Sequence, residues 1–150
     1  MPATRQPQHG AILLAVLVML AVVAWASVSL VSVASTRLQR EREEELLFVG
    51  DQYRQAIESY LRFAPNGVRQ YPTRLDDLIA DPRFARPVRH LRKLFVDPVN
   101  PTGEWELIKL GNSIVGVRSQ SQSAPFKKTG FSASLRGFDN AASYSGWEFI

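Results

Sequence analysis

The sequence predicts an α+β protein in which a long N-terminal helix packs on a small antiparallel sheet near the C-terminus. Residues 11–36 carry no charged side chain, residues 36–64 contain no proline, and two β-like runs meet at Gly111-Asn112. These patterns divide the chain into four parts. They are a leader at 1–10, a transmembrane helix at 11–35, an amphipathic extension of that helix at 36–64, and a small α+β domain at 65–150.

The apolar run is the strongest signal, because residues 11–26 are all Ala, Val, Ile, Leu, Met or Trp. As a helix, residues 11–36 extend about 35–40 Å at ~1.5 Å per residue, enough to cross a hydrocarbon core of ~30 Å. Three interpretations remain open: a permanent anchor, a signal removed after Ala24-Trp25-Ala26, and a leader removed before the run. The helical pattern continues past the run, which favours its retention.

Residues 36–64 predict the second part of the same helix. Apolar side chains recur every three to four positions, which places them on one face. They are Leu38, Leu46, Val49, Tyr53, Ala56, Ile57, Tyr60 and Ala64. Pro65-Asn66-Gly67 ends the helix. The alternative is an anchor followed by a separate amphipathic helix. The run 43–45 is predicted to be a solvated face, except that Glu45 lies near the stripe and can pair with an arginine of a neighbouring subunit.

The remaining residues predict the small domain. A capping-box-like start at Thr73 opens a short helix that continues to Ile79. Strands are predicted at 105–110 and 113–118, joined by a hairpin turn, and a third at 144–150. Packed on the helix, this meander is expected to bury Trp105, Leu107, Val115, Val117, Trp147 and Phe149.

Composition excludes several classes of chemistry. The chain has no cysteine, which rules out disulfides, thiol nucleophiles and cysteine-ligated metals, and it has two histidines. No acid–base pair, nucleophile or phosphate loop stands out, so we predict neither an enzyme nor a cofactor. The net charge of +4 suits anionic lipid, nucleic acid or an acidic partner without choosing among them.

One basic stretch is a candidate partner-binding site. Between Asp81 and Asp97 there is no acidic residue, and the stretch contains Arg83, Arg86, Arg89, His90, Arg92 and Lys93. A solvated basic face is the favoured interpretation, and binding of nucleic acid, anionic lipid or an acidic partner is the alternative. We interpret His90 as a surface or core histidine. We predict no metal site, although Asp97, Asn100 and Asp139 supply oxygens of the kind that calcium prefers.

The layout resembles the type IV pilin-like proteins, and especially the small G-type pseudopilins of type II secretion. The resemblance rests on a short head with Arg5, Gly10 directly before the apolar run, and the unbroken amphipathic helix. Two tracts extend it, Tyr-Pro-Thr-Arg-Leu-Asp-Asp-Leu at 71–78 and Leu-Phe-Val-Asp-Pro at 94–98. G-type pseudopilins can bind calcium in a loop of the sheet, but their ligand motif has no match in this chain.

The resemblance implies processing by a prepilin peptidase. Cleavage after Gly10 would leave Ala11 as the new, methylated N-terminus and keep the apolar helix in place. The family usually has Phe at the first mature position and Glu at the fifth. This chain has Ala11 and Ala15 there, so it lacks the carboxylate thought to neutralise a neighbouring N-terminal amine.

The implied function is structural. The chain is expected to be a single-pass subunit of the inner membrane with a periplasmic C-terminal domain, in a type II secretion or type IV pilus-type apparatus. Its partners would be other pilin-like subunits, the assembly platform, the peptidase and membrane lipid. Ala15, Ala21, Ala24 and Ala26 allow close helix approach. The positive-inside count, with Arg37, Arg40 and Arg42 after the run, favours the opposite orientation.

Two other functions stay open. A stand-alone periplasmic module would bind DNA or an acidic partner through the basic stretch. A secreted protein would be released at Ala26, which would expose a helical stripe suited to packing.

Overall fold

The computed structural model describes residues 9–65 and 67–150, except for the side chains of residues 9 and 26–34. Helix α1 runs without interruption over His9–Arg62, so the prediction of one continuous helix is confirmed. Among the described residues, no helical stretch is both long enough and apolar enough to span a membrane. The span predicted at 11–35 includes residues whose side chains lie outside the described part of the chain, and Ala26 is one of them. Residues 1–8 of the predicted leader also lie outside it.

The chain forms two compact units, residues 1–39 and residues 40–150. In the first unit, every described side chain from residue 10 to residue 25 is exposed. The second unit, called the body below, holds the buried core and the sheet.

One face of α1 forms one side of the core of the body. Leu46, Val49, Tyr53, Ile57 and Tyr60 are all buried on it, at the predicted spacing of three to four. Gly50 lies on the same face, and a Cβ atom at this position would lie 2.3 Å from the Phe149 ring. The absence of a side chain at Gly50 therefore lets a fully buried aromatic ring sit directly against the helix backbone.

Aromatic rings from the C-terminal segment, residues 120–150, form the other side of the core. Phe138 stacks on Trp147 at 5.5 Å between ring centroids, and Tyr144 meets Trp147 edge-on at 5.2 Å. Phe138 also contacts Phe149 edge-on at 4.9 Å. These geometries are the ones aromatic pairs prefer.

The predicted hairpin is confirmed, with a change in its burial pattern. Strand β1 (Trp105–Leu110) pairs antiparallel with β2 (Ser113–Ser119), and Gly111 takes the positive φ of 63° that the turn requires. Lys109 faces Ile114 while Ile108 faces Gly116, so Val115 is the extra residue of a bulge. Ile114 and Val117 are buried instead of Val115, and Trp105 and Leu107 are half-buried. The predicted burial of Val115 was therefore wrong.

The predicted third strand is also wrong. Only Phe149 pairs with β2, through two backbone hydrogen bonds to Val117 of 3.0 and 3.1 Å. The preceding residues form a 3-10 helix at Tyr144–Gly146. Tyr144 and Trp147 are both buried and lie three residues apart, a spacing that a helical turn, not a strand, places on one side.

The short helix predicted from Thr73 to Ile79 is a 3-10 helix at Leu75–Leu78. The N-cap is Arg74 and not the predicted Thr73, and Asp77 accepts the Arg74 N–H at 3.0 Å. This bond is one half of a capping box, since an arginine side chain has no acceptor for the other half. Leu78 is buried, and its carbonyl accepts the N–H groups of His90 and Leu91. The turn is therefore short because its last carbonyl pairs with the loop that follows.

Candidate functional site

The C-terminal end of α1 is held by a buried polar cluster. The Arg83 guanidinium donates to the carbonyls of Tyr60 at 2.7 Å and Phe63 at 3.2 Å. It also lies over the Tyr60 ring, 3.5 Å from the centroid. These carbonyls belong to the last turn of the helix and its exit, where carbonyls lack helical partners and a cation is favourable. Arg83 therefore caps the helix from another part of the chain.

Asp81 holds Arg83 in this position. Its carboxylate is fully buried, accepts the Arg83 Nη2–H at 2.6 Å, and accepts the Arg83 Nε–H at 2.9 and 3.1 Å. Burial alone would raise the pKa of Asp81. The hydrogen bonds from Arg83 and His90 outweigh it, so the pKa of Asp81 is lowered. The pKa of Arg83 is raised, chiefly by its hydrogen bond to Asp81.

His90 and Ser59 complete the cluster. His90 Nε2 lies 3.2 Å from Asp81 Oδ2, and His90 Nδ1 lies 2.8 Å from Ser59 Oγ. The His90 side chain is 1% exposed, which confirms its interpretation as a core histidine. We call Ser59, Asp81, Arg83 and His90 the terminal clamp.

The terminal clamp has the order serine, histidine and aspartate that serine hydrolases use. Its chemistry differs, because Arg83 occupies both carboxylate oxygens of Asp81. Ser59 also lies inside α1, where backbone N–H groups are donated to helical carbonyls and do not point at a reacting oxygen. The geometry fastens the loop at 81–90 to the helix.

The predicted basic stretch does not form one surface. Arg83 and His90 turn into the terminal clamp, where Asp81 and the carbonyls of Tyr60 and Phe63 occupy the Arg83 guanidinium. The other four basic residues are exposed on one loop: Arg86, Arg89, Arg92 and Lys93. Lys93 Nζ lies 5.1 Å from the centroid of the Phe95 ring. These four residues form the solvated basic face that the sequence favours, and partner binding through the stretch stays a prediction.

Glu43 forms a second buried polar contact near the start of the body. It is 5% exposed, accepts the Phe126 N–H at 2.6 Å and the Lys127 N–H at 2.9 Å, and accepts the Tyr144 hydroxyl at 2.9 Å. The prediction of a solvated face at 43–45 was therefore wrong for Glu43. Glu45 is exposed, and its pairing with a neighbouring subunit stays a prediction.

The calcium candidates lie in two loops. Asp97 is 2% exposed, and its Oδ1 accepts the N–H groups of Val99 at 2.9 Å and Asn100 at 3.2 Å. The Asn100 amide donates to the Glu104 carbonyl, and Asp139 follows a separate 3-10 helix. Within residues 9–65 and 67–150, no three carboxylate or imidazole side chains are grouped to hold a metal.

The predicted processing and assembly residues lie on the first unit. Gly10 is helical, and no atom lies within 4 Å of where its Cβ would be. Ala11, Ala15, Ala21 and Ala24 are exposed. The large apolar side chains between Ile12 and Trp25 are 52–79% exposed. This surface is the largest exposed apolar feature of the described residues.

Sequence reasoning missed Glu43 and the pairing of Asp81 with Arg83. A signal existed for Glu43, because it precedes Leu46 by three residues and so falls on the buried stripe. Asp81 and Arg83 are two residues apart in the chain, but Tyr60 and Ser59 come from another element, and nothing local indicates that meeting.

Comparison with known proteins identifies no relative: no protein-family model, no curated protein and no solved structure matches the chain.

Proposed function

We propose that this protein is a structural, membrane-anchored subunit that assembles with like subunits through its N-terminal helix. The observation that carries the proposal is the contrast along α1. Residues 10–25 expose an apolar surface on all sides, while residues 43–60 bury a stripe against the body. A helix with an apolar surface all round belongs in lipid or among other helices.

The energetics support burial of the first stretch. Covering one Leu, Val, Ile or Met side chain contributes about 1.5–3 kcal/mol. Leu13, Leu14 and Met19 are 65–69% exposed. Exposed alanines at 15, 21 and 24 give places where another helix backbone can approach closely.

The class of apparatus follows from the resemblance. We place the chain among pilin-like subunits of a type II secretion or type IV pilus-type system, in the inner membrane with the body in the periplasm. Prepilin peptidase would cut after Gly10. A long helix and a small antiparallel sheet support the proposal, although the sheet has two strands and not the three predicted.

The first test is the mass of the intact protein extracted from membranes. A chain that begins at Ala11, with or without a methyl group, supports the proposal. A membrane chain that begins at Met1 indicates an ordinary anchor, and a soluble chain that begins at Ser27 overturns the proposal.

A variant pair sharpens this test. Gly10→Leu should block processing, because the peptidase needs a small residue before the cut. Gly137→Leu is the control, because Gly137, like Gly10, has no atom within 4 Å of an added Cβ. Normal processing of Gly10→Leu would contradict a prepilin leader.

Assembly can be tested by crosslinking, because the chain has no native cysteine. Ala21→Cys should give crosslinked dimers in membranes that also contain the other subunits. Leu110→Cys is the matched control, at a 71% exposed position on the body. Equal crosslinking at both positions would contradict assembly through the helix.

A binding module is the second candidate, favoured by the four exposed cations Arg86, Arg89, Arg92 and Lys93. It predicts salt-sensitive DNA binding that is lost in the triple variant Arg86→Ala, Arg89→Ala, Arg92→Ala. Arg62→Ala, Arg69→Ala, Arg74→Ala removes the same charge elsewhere and should bind as the parent does. Unchanged binding in the first variant would remove this candidate.

A further inference from the structure

The loop at 125–128 is fixed to α1 at one point and to the rest of the C-terminal segment at another. Glu43 accepts the N–H groups of Phe126 and Lys127, and the Lys128 carbonyl accepts the Asn140 N–H at 2.8 Å. Two lysines that are far from the helix in sequence are therefore held at the level of Glu43, near the start of the body.

The exposed side chains around this loop form an aromatic–basic patch, which we define as Arg40, Phe126, Lys127 and Lys128. All four are exposed, and Phe126 is 42% exposed. The Arg40 guanidinium lies 5.5 Å from the Phe126 ring centroid, and Lys127 Nζ lies 4.9 Å from the Phe131 ring centroid. Within the described part of the chain, none of the three cations forms an ion pair.

Two acidic residues line the open groove of about 310 Å³ that also contains Arg40, Phe126 and Lys127. One is Glu43, which is occupied by its three donors, and the other is the exposed Glu44. Glu41 and Glu45 each lie about 160° round the helix from Glu43, because a residue advances about 100° round a helix with 3.6 residues per turn. In the groove itself, Glu44 is therefore the exposed carboxylate beside the cations.

This composition suits a lipid surface. Basic residues close to a membrane-anchored helix attract anionic headgroups, and an aromatic ring among them fits the boundary between headgroups and acyl chains. The uncharged run ends at Thr36, and Arg37 is the first charged residue after it. Arg40 lies only four residues beyond Thr36. The patch is thus close in sequence to the proposed anchor.

We propose that the aromatic–basic patch binds anionic phospholipid headgroups of the bilayer in which the helix is anchored. The inference rests on the proposed function, because it requires the anchor. The contact would hold the body against the membrane before assembly, with Glu43 as the positioning residue that presents the two lysines.

The four lysines of the chain allow a test within one molecule, since Lys127 and Lys128 lie in the patch while Lys93 and Lys109 do not. The full chain is reconstituted in nanodiscs of phosphatidylcholine, with or without phosphatidylglycerol. Each lysine is then followed by its rate of acetylation with a neutral reagent. With phosphatidylglycerol we expect Lys127 and Lys128 to react about fivefold more slowly, and Lys93 and Lys109 to be unchanged.

A variant pair provides the control. Lys127→Gln, Lys128→Gln should retain fewer phosphatidylglycerol molecules in native mass spectrometry than the parent. Lys93→Gln, Lys109→Gln loses the same charge and should retain as many as the parent does. Equal retention in the two variants would overturn the inference.

The remaining outcomes separate the two proposals. A chain that does not enter nanodiscs contradicts the proposed anchor itself. A chain that enters them, with all four lysines equally reactive in both lipids, overturns the lipid contact alone. Protection of Lys127 and Lys128 by added DNA in phosphatidylcholine discs, without protection by phosphatidylglycerol, would assign the patch to a nucleic acid instead.

Discussion

Two stretches of the same helix differ in what surrounds them. Residues 10–25 of α1 are exposed on every side, whereas residues 43–60 bury a stripe that includes Leu46, Tyr53 and Tyr60. The first stretch is apolar all round and the second is apolar on one face. One helix therefore combines two kinds of surface: its own chain covers the apolar stripe at 43–60, and the apolar side chains at 10–25 stay exposed. The proposed function assigns the exposed stretch to lipid or to other helices.

The largest effect is expected at the C-terminal end of the buried stretch. Asp81→Ala removes a fully buried carboxylate and leaves Arg83, whose side chain is 15% exposed, without its ion-pair partner. It should lower the free energy of unfolding by about 3–5 kcal/mol. Asp76→Ala removes the ion pair between Asp76 and Arg74, whose side chains are 61% and 74% exposed, respectively. It should lower the free energy of unfolding by about 0–1 kcal/mol. Denaturant unfolding of the detergent-solubilised full chain measures both. Equal losses would show that the terminal clamp adds nothing to the body.

Matched truncations along the helix test the comparison directly. Leu46 is fully buried, so Leu46→Ala should lower the free energy of unfolding of the body by about 2–5 kcal/mol. Leu17 is 54% exposed, and Leu17→Ala should leave that quantity unchanged. Denaturant unfolding of both variants and the parent in detergent measures the two changes. A similar loss at Leu17 would mean that the first stretch also packs on its own chain.

A pair of glycines gives a smaller contrast. Gly50→Ala places a methyl group against the Phe149 ring and should destabilise the body by about 1–3 kcal/mol. Gly10 is the second residue of α1, meets no atom and precedes the proposed cut, so Gly10→Ala should leave the stability of the body unchanged. Thermal unfolding followed by near- and far-UV circular dichroism distinguishes the two. A stabilising Gly50→Ala would contradict the close contact with Phe149.

The contact of Glu43 with the C-terminal segment is expected to contribute less. Glu43→Gln replaces one acceptor oxygen by a donor, so one of its three partners is left unpaired at a cost of about 1–2 kcal/mol. Glu45→Gln, two residues away and exposed, should change stability by less than about 0.5 kcal/mol. Hydrogen exchange at the Phe126 and Lys127 amides is the specific readout, and unchanged protection in Glu43→Gln would refute the contact.

The smallest effect is a dependence on pH. The pKa of Asp81 is lowered in the folded state, so its charge adds stability above its unfolded pKa of about 3.9. That stability is lost as the pH falls below about 4 and then through the lower pKa that Asp81 has in the folded protein. Between pH 4 and pH 2, the parent should therefore lose more stability than Asp81→Asn does. Parallel curves for the two proteins would contradict the lowered pKa.

Local patterns were sufficient for part of the fold. The continuous helix followed from the lack of a breaker between residues 11 and 64, and the hairpin from two β-like runs around Gly111. The buried stripe of α1 followed from its spacing. Each of these features depends on neighbours within a few residues, which is why the sequence alone predicts them.

Contacts between distant residues were beyond local patterns. The bulge at Val115 moves burial from Val115 to Ile114, while Val117 is buried as predicted. Alternation cannot reveal an extra residue in a strand. Tyr144 and Trp147 enter the core through a 3-10 turn where a strand was predicted. Likewise, the sequence of the basic stretch does not distinguish its members from one another. In the structure, Arg83 and His90 hydrogen-bond to residues of α1, and His90 also contacts Asp81.

The sequence by itself determined the division of α1 into an all-apolar stretch and an amphipathic stretch, because that division depends only on the order of charged and apolar residues along the helix. Only the tertiary structure decided which charges are used internally. Asp81, Glu43 and the His90 side chain are buried, and the Arg83 side chain is 15% exposed. Hydrogen-bond partners from other parts of the chain satisfy these groups, and burial without such partners would cost too much free energy. Arg40, Lys127 and Lys128 meet at one surface for the same reason, since Glu43 holds the loop that carries the two lysines.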